Sequence, residues 1–199
     1  MFDFGPIAQE IARLLYAITD DQLSAPTPCP DYRLGDIVEH VGGLTLAFTA
    51  AAEKDLDGVT SQAPAGDARR LEPDWRDRIA AQLDKLVAAW RNPEAWQGMT
   101  RAGGVDLPGE VAGLVAADEL VIHGWDISRA SGLPYHQDAA ALEASAQFLS
   151  MSAKDREPGK PVDEGSPFGA VVPVAEDASL LDRVVGLSGR DPSWRPVNI

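Results

Sequence analysis

The sequence predicts a mostly α-helical fold, a bundle of four long helices with a short C-terminal addition. Three observations carry this expectation. Apolar residues recur at helical spacing in long stretches, Pro- and Gly-rich segments separate those stretches, and one long polar connection can cross the bundle.

The first helix is expected over Pro6–Ile18. Ile7, Ile11, Leu14, Leu15 and Ile18 share one face, and Pro6 suits a first turn, where its missing N–H is not needed. The three prolines of "SAPTPCPDY" then break the chain. A second helix follows in "RLGDIVEHVGGLTLAFTAAAEK", where Leu34, Ile37, Val38, Val41, Leu44 and Phe48 form one broad apolar stripe. Residues 55–73 are polar and rich in Gly, Pro and Asp, and read as a surface loop. A third helix runs from Asp74, its expected N-cap, to Trp90, burying Ile79, Leu83, Leu86, Val87 and Trp90. "RNPEAWQGMTRAGGVDLPG" reads as a connection with a short extended piece over Met99–Val105. The fourth helix opens near Pro108, reaches about Ala130, and stops at Gly132. An alanine-rich fifth covers Asp138–Met151. "SAKDREPGKPVDEGSPFG" is linker-like. "AVVPV" reads as an edge strand or an extended strap, because a proline does not suit a central strand. Asp177 is placed to cap a last helix, Ala178–Leu187. The expected division is a bundle domain over 1–155 and a short extension over 156–199 packed on it.

Composition narrows the function classes. The 199 residues are 45% apolar, enough for a buried core. Lys and Arg total 17 against 31 Asp and Glu, a net charge of −14. That field repels nucleic-acid phosphates and anionic lipid headgroups, so neither nucleic acid nor a membrane surface is an expected partner. A single cysteine, Cys29, excludes an intrachain disulfide framework and fits a reducing cytoplasm. The start, "MFDFGPIAQE", has no basic and apolar leader pattern, and no apolar run approaches the roughly 20 residues of a membrane span.

The stretch "ADELVIHGWD" carries the chemistry. On a helical wheel at about 100° per residue, His123 lies about 40° from Glu119, and Asp126 about 20° to the other side. Ala112, Val115, Ala116, Ile122 and Ala130 share that sector, so these polar groups interrupt an apolar face. His40 sits similarly at the edge of the second helix's stripe. Burying an unpaired carboxylate or imidazole is costly, and a divalent cation would satisfy both. Two His and one Glu suit zinc, with nickel or iron as alternatives, and leave a fourth position free. The bland account uses the same residues. A Glu and His four apart commonly form an intrahelical pair, and a lone His on an apolar face is commonly a satisfied core residue. Spacing leaves both accounts open. Asp126 supports or contacts the site, or pairs with Arg129 at the helix end. Cys29 has no local base and reads as structural. Arg190 reads as a surface ion pair with Asp191 or another acid, or as a bidentate binder of a carboxylate. Trp125 and Trp194 read as packing residues, and His136 as a loop residue outside the site. "GLSGR" lacks the last Gly and the preceding strand of a hydrolase elbow.

Three stretches together carry a family resemblance. "TPCPDYRLGDIVEHVGG" resembles the Thr-Pro-Cys, aromatic, helix-with-His block of the mycothiol-dependent maleylpyruvate isomerase-like proteins. "DELVIHGWDISRASG" resembles their Glu-Leu-x-x-His-Gly-Trp-Asp block, and "DRVVGLSGRDPSW" the Gly-Arg-Asp-Pro-x-Trp tail of the short actinobacterial branch. These proteins belong to the wider DinB-like metal-binding four-helix bundles, and the resemblance spans nearly the whole chain. It implies an up-down-down-up bundle with a long crossover. It also implies a metal held by His40, Glu119 and His123. Tyr32 stands where the family usually has Trp. Only about fifty residues follow the fifth helix, whereas the isomerases carry a larger C-terminal domain that contributes to the active site, so the resemblance carries the metal core further than the isomerase activity. The implied chemistry is thiol-dependent: a metal stabilises the thiolate of a small thiol, mycothiol in this family, which adds to an electrophile in an S-transferase or isomerase. Two other classes stand beside it. One is a non-catalytic metal or small-molecule binding protein on the same bundle, the other a structural homodimer whose polar triad is only hydrogen-bonded.

Overall fold

The computed structural model describes residues 1–153, 156, 158 and 168–196. Its elements are α1 (Gly5–Ala17), α2 (Leu34–Glu53), α3 (Trp75–Trp90), a hairpin of β1 (Met99–Ala102) and β2 (Val105–Pro108), α4 (Gly109–Ser131), α5 (Ala139–Ser152) and α6 (Leu180–Leu187), with short 3-10 turns between them. Helices α1 and α2 each pack against both α3 and α4, so the four close a ring. Their apolar stripes meet inside it: Ile7, Ile11 and Leu14 from α1, Ile37 and Val41 from α2, Ile79 and Leu83 from α3, and Leu120 and Val121 from α4. This is the mostly helical, DinB-like bundle the sequence predicts. Helix α5 packs on α4, and α6 on α5.

Local signals set the boundaries. Pro6 lies in the first turn of α1. The Asp138 side chain accepts from Ala141 N–H and starts α5. Gly132, at φ 73°, ends α4 in the left-handed region that favours glycine. Aromatic rings close one end of the ring: Trp90 Nε1 donates to the Phe48 carbonyl at 3.1 Å, and Trp96 Nε1 to the Trp90 carbonyl at 2.8 Å. Gly113 of α4 faces this cluster, and a Cβ there would enter the Trp96 ring. That ring is 8% exposed and tethered by its N–H, so it has little room to move. Gly113→Ala is therefore expected to cost about 1–3 kcal/mol, read as a lower urea midpoint with an altered Trp emission spectrum. An unchanged midpoint would show that the ring can move aside.

The structure corrects three expectations and decides one alternative. The extended piece near Met99 is a hairpin, with Met99 opposite Pro108 and Ala102 opposite Val105. Its two-residue turn, Gly103–Gly104, has φ 59° and 81°, which suits paired glycines. The "AVVPV" segment is an extended strap with no ladder; Val171 N–H donates to the Arg156 carbonyl and Val172 N–H to the Gly186 carbonyl. Pro173, lacking an N–H, suits such a strap. Helix α6 starts at Leu180 and is capped by Ser179, whose hydroxyl accepts from Asp182 N–H; the Asp177 cap is not used. The 55–73 connection is also more than a surface loop. Asp36 and Glu39 on α2 accept from the N–H groups of Ala68 and Asp67, Glu39 binds Arg70, and the Tyr32 hydroxyl accepts from Gly66 N–H. These bonds hold the connection down along α2. Most of the linker expected over 152–169 lies outside the described residues.

Candidate metal centre

Helix α2 supplies His40 and the neighbouring helix α4 supplies Glu119 and His123, so the ring itself brings the three together. Glu119 Oε2 lies 3.1 Å from His123 Nε2 and 3.9 Å from His40 Nε2. One donor atom from each residue lies within 4.8 Å of the others. Four ligands at bonds of ~2.0 Å in a tetrahedron stand roughly 3.3 Å apart, so small side-chain adjustments would let the three share one ion. The two imidazole rings meet edge to face, with centroids 4.9 Å apart. The donor set, two nitrogens and one carboxylate oxygen, fits a divalent transition metal with one position left over.

Asp126, one turn beyond His123, is fully buried, and its Oδ2 lies 3.0 Å from His123 Nδ1. A proton on Nδ1 in that bond leaves Nε2 with its lone pair toward Glu119 and His40, the arrangement that orients imidazole ligands. Asp126 is held in turn by Arg190, whose Nε and Nη2 donate to it at 2.9–3.2 Å. This decides between the alternatives left open for both residues. Asp126 does not pair with Arg129, which reaches the Pro192 carbonyl and stacks over Trp125. Arg190 is not a surface residue; its side chain is 13% exposed and paired with a carboxylate that is 0% exposed. The chain turns at Gly189, with φ 88°, just before Arg190 enters.

Charge is unevenly distributed over the cluster. Burial and the neighbouring His123 lower the pKa of His40 to about 4, although Glu119 opposes them. Burial also disfavours charge on His123, but the hydrogen bonds it donates to Asp126 and Glu119 outweigh it and raise its pKa to about 9. Without a metal, then, His123 carries a proton between two carboxylates, while His40 is neutral at pH 7. A cation must displace that one proton. Affinity for Zn(II) or Co(II) is therefore expected to rise about tenfold per pH unit between about pH 6 and 8, and to level off above about 9. Calorimetric titration across pH checks this; a flat profile would contradict it. The metal-free protein follows the opposite course. Stability from the raised His123 pKa is present below the ordinary imidazole value and is lost as pH rises through about 9.

The cluster lines a pocket of about 550 Å³, together with Cys29, Tyr32, Ala63, Ile122, Phe168 and Arg190. The proline-rich turn keeps its shape through Thr27, whose hydroxyl lies 2.8 Å from the Cys29 and Tyr32 carbonyls and accepts from Cys29 N–H. Cys29 thus lies on the pocket wall, and burial raises its thiol pKa. Trp125 is 1% exposed and belongs to the core. His136 is outside the cluster, 3.3 Å from Glu10. The wheel missed Asp118, which also lines the pocket and accepts from the Ser145 hydroxyl on α5 at 2.6 Å. Burial, which the Ser145 bond only partly offsets, raises its pKa to about 7. Its position about 100° from Glu119 suggests a solvated face, but α4 touches α1, α2 and α5 and is buried on nearly every side.

The fold is a DinB-like helical bundle, with a His–Glu–His cluster across two neighbouring helices and open to a pocket. Within that fold class, the chain belongs to the family of the mycothiol maleylpyruvate isomerase N-terminal domain, whose model matches residues 4–128. That span includes His40, Glu119, His123 and Asp126. Two uncharacterized proteins from Mycobacterium tuberculosis strains, Rv0738 and MT0763, are each 28% identical over 184 residues, covering 87% of this chain and 92% of theirs. The crystal structure of a mycothiol-dependent maleylpyruvate isomerase superposes with a TM-score of 0.64 at 18% identity, covering 96% of this chain and 88% of the isomerase. A histidine-to-alanine mutant of such an isomerase gives 0.56 at 14% identity, covering 81% and 71%. At these identities, the structural likeness is one of fold. Among the described residues, no helix is long and apolar enough to cross a membrane.

Proposed function

We propose that this protein is a metal-dependent enzyme that uses a low-molecular-weight thiol, mycothiol or a close relative, to transfer to or isomerise a small electrophile. The observation that carries this reading is the convergence of His40, Glu119 and His123 at a pocket of about 550 Å³, large enough for a thiol and a second small molecule. Family membership supplies the thiol. In this reading, His40, Glu119 and His123 hold the ion, zinc before nickel or iron. Bound there, a divalent cation would act as a Lewis acid that favours thiolate over thiol. Asp126 fixes the orientation of His123 through Nδ1, and Arg190 keeps Asp126 ionised. Tyr32, Ile122 and Phe168 provide apolar walls that exclude water from a bound electrophile. The bundle over 1–155 would hold the metal, while the extension over 156–199 closes the site with Arg190.

The test pairs elemental analysis with turnover. One zinc per chain is expected, with mycothiol consumed in the presence of a panel of α,β-unsaturated acids, epoxides and alkyl halides, and no consumption by His40→Ala. Stoichiometric metal without turnover of any thiol and electrophile pair would instead indicate a binding protein. A chain that takes up no metal would remove the basis of the proposal.

A further inference from the structure

Asp118 occupies an unusual position. It is 1% exposed and lines the same pocket as Glu119 and His123. One carboxylate oxygen, Oδ1, accepts from the Ser145 hydroxyl at 2.6 Å; the other has no hydrogen bond to any described residue. Arg156 and Arg190 attract the group electrostatically but do not bond to it. Each already serves elsewhere, Arg156 on the carbonyls of Gly169 and Leu187 and Arg190 on Asp126. Oδ2 is not sealed in the core: it is the carboxylate oxygen left open to the pocket, where it can accept from a donor on a bound molecule. Ser145, from α5, holds the carboxylate so that it cannot turn away.

We propose that Asp118 is a binding residue for the cosubstrate, accepting a hydrogen bond from an N–H group carried close to the sulfur of the thiol. This rests on the thiol-dependent reading above and adds a feature that the thiol must have. Asp118 lies beside the ligand Glu119 on the same helix, so a sulfur directed at the His–Glu–His cluster would bring the adjoining part of its molecule to this carboxylate. An acceptor at that point selects thiols with an amide or ammonium N–H and disfavours those with an ester or ether oxygen there, since that would place two acceptors face to face. A merely structural Asp118 would tie α4 to α5 and show no such preference.

The experiment uses two probes that differ in one group, N-acetylcysteamine and its oxygen ester 2-mercaptoethyl acetate. Each is titrated into the cobalt-loaded full-length protein at pH 8 and followed by the sulfur-to-cobalt charge-transfer absorption. The amide is expected to bind about tenfold or more tightly than the ester, as for sites built around a donor on the ligand. Asp118→Asn keeps the side-chain shape and an acceptor for Ser145 and is expected to abolish the preference while retaining cobalt. Ser145→Ala, which frees the carboxylate to turn, is expected to reduce the preference without abolishing it. Equal binding of the two probes by the wild-type protein, or a preference unchanged in Asp118→Asn, would overturn the assignment and leave the thiol-dependent reading intact. Failure of both probes, and of mycothiol, to bind the wild-type protein would remove both.

Discussion

Arg190→Met is expected to be the most destabilising single change at the site, lowering the unfolding free energy by about 3–5 kcal/mol at neutral pH. The substitution keeps much of the side-chain length but removes three donor contacts of 2.9–3.2 Å to Asp126, a carboxylate that is 0% exposed. His123 alone would then share that charge. The dependence on pH distinguishes this cause from lost packing. In the wild type, burial tends to raise the Asp126 pKa, but Arg190 and His123 outweigh it and hold the pKa below its ordinary value. Stability from the pair is therefore present above that ordinary value, near 4, and is lost as pH falls through the lowered one. Without Arg190, the folded carboxyl is driven upward and favours its protonated form. The difference between wild type and variant should thus narrow as pH falls from about 7 toward 4, as measured by urea unfolding at several pH values. A constant gap would mean that packing dominates.

The second large effect concerns the metal. On the proposed reading, in which His40, Glu119 and His123 hold one ion, His123→Ala is expected to reduce bound metal from one per chain to below about a tenth, measured by elemental analysis after extensive dialysis. The variant loses one donor, and the remaining pair, His40 and Glu119, are 3.9 Å apart on different helices. Stripping the wild type with a chelator should lower its melting temperature, since a ligand bound at a thousand times its Kd stabilises the native state by about 4 kcal/mol. The variant should show no response to either chelator or added zinc. A retained response would place the metal elsewhere. Glu119→Gln is the closer isostere. It keeps a hydrogen-bonding group beside His123, so equal metal loss in both variants would separate ligation from collapse of the cluster.

The fold was readable because most of its signals are local. Periodic leucines and isoleucines, Pro6, Asp138 and Gly132 each act within their own helix. The triad was readable because helical spacing fixes Glu119 relative to His123 and because "ELVIHGWD" resembles a block of the family. Other contacts depend on distant residues. Nothing in the sequence specifies that Asp126 and Arg190, 64 positions apart, meet. Asp118 was missed for a different reason: the wheel assumes that a helix has one wet side, whereas α4 has neighbours nearly all round. The hairpin could have been read from "TRAGGVDL", where two glycines separate short extended runs. The 55–73 connection could not, because its anchors, Asp36 and Glu39, look like the ordinary outer face of α2.

The way α4 is enclosed has a consequence for how such a protein can change. Most new side chains on α4 would disturb its neighbours, so this helix tolerates little experiment. The rest of the pocket wall comes from segments outside the long helices: the turn around Cys29, the stretch near Ala63 and the chain at Phe168. Related sequences could accept different reaction partners by redrawing these borders while the gripping groups stay in place. Exchanging the borders between two relatives should therefore move substrate preference without moving metal content.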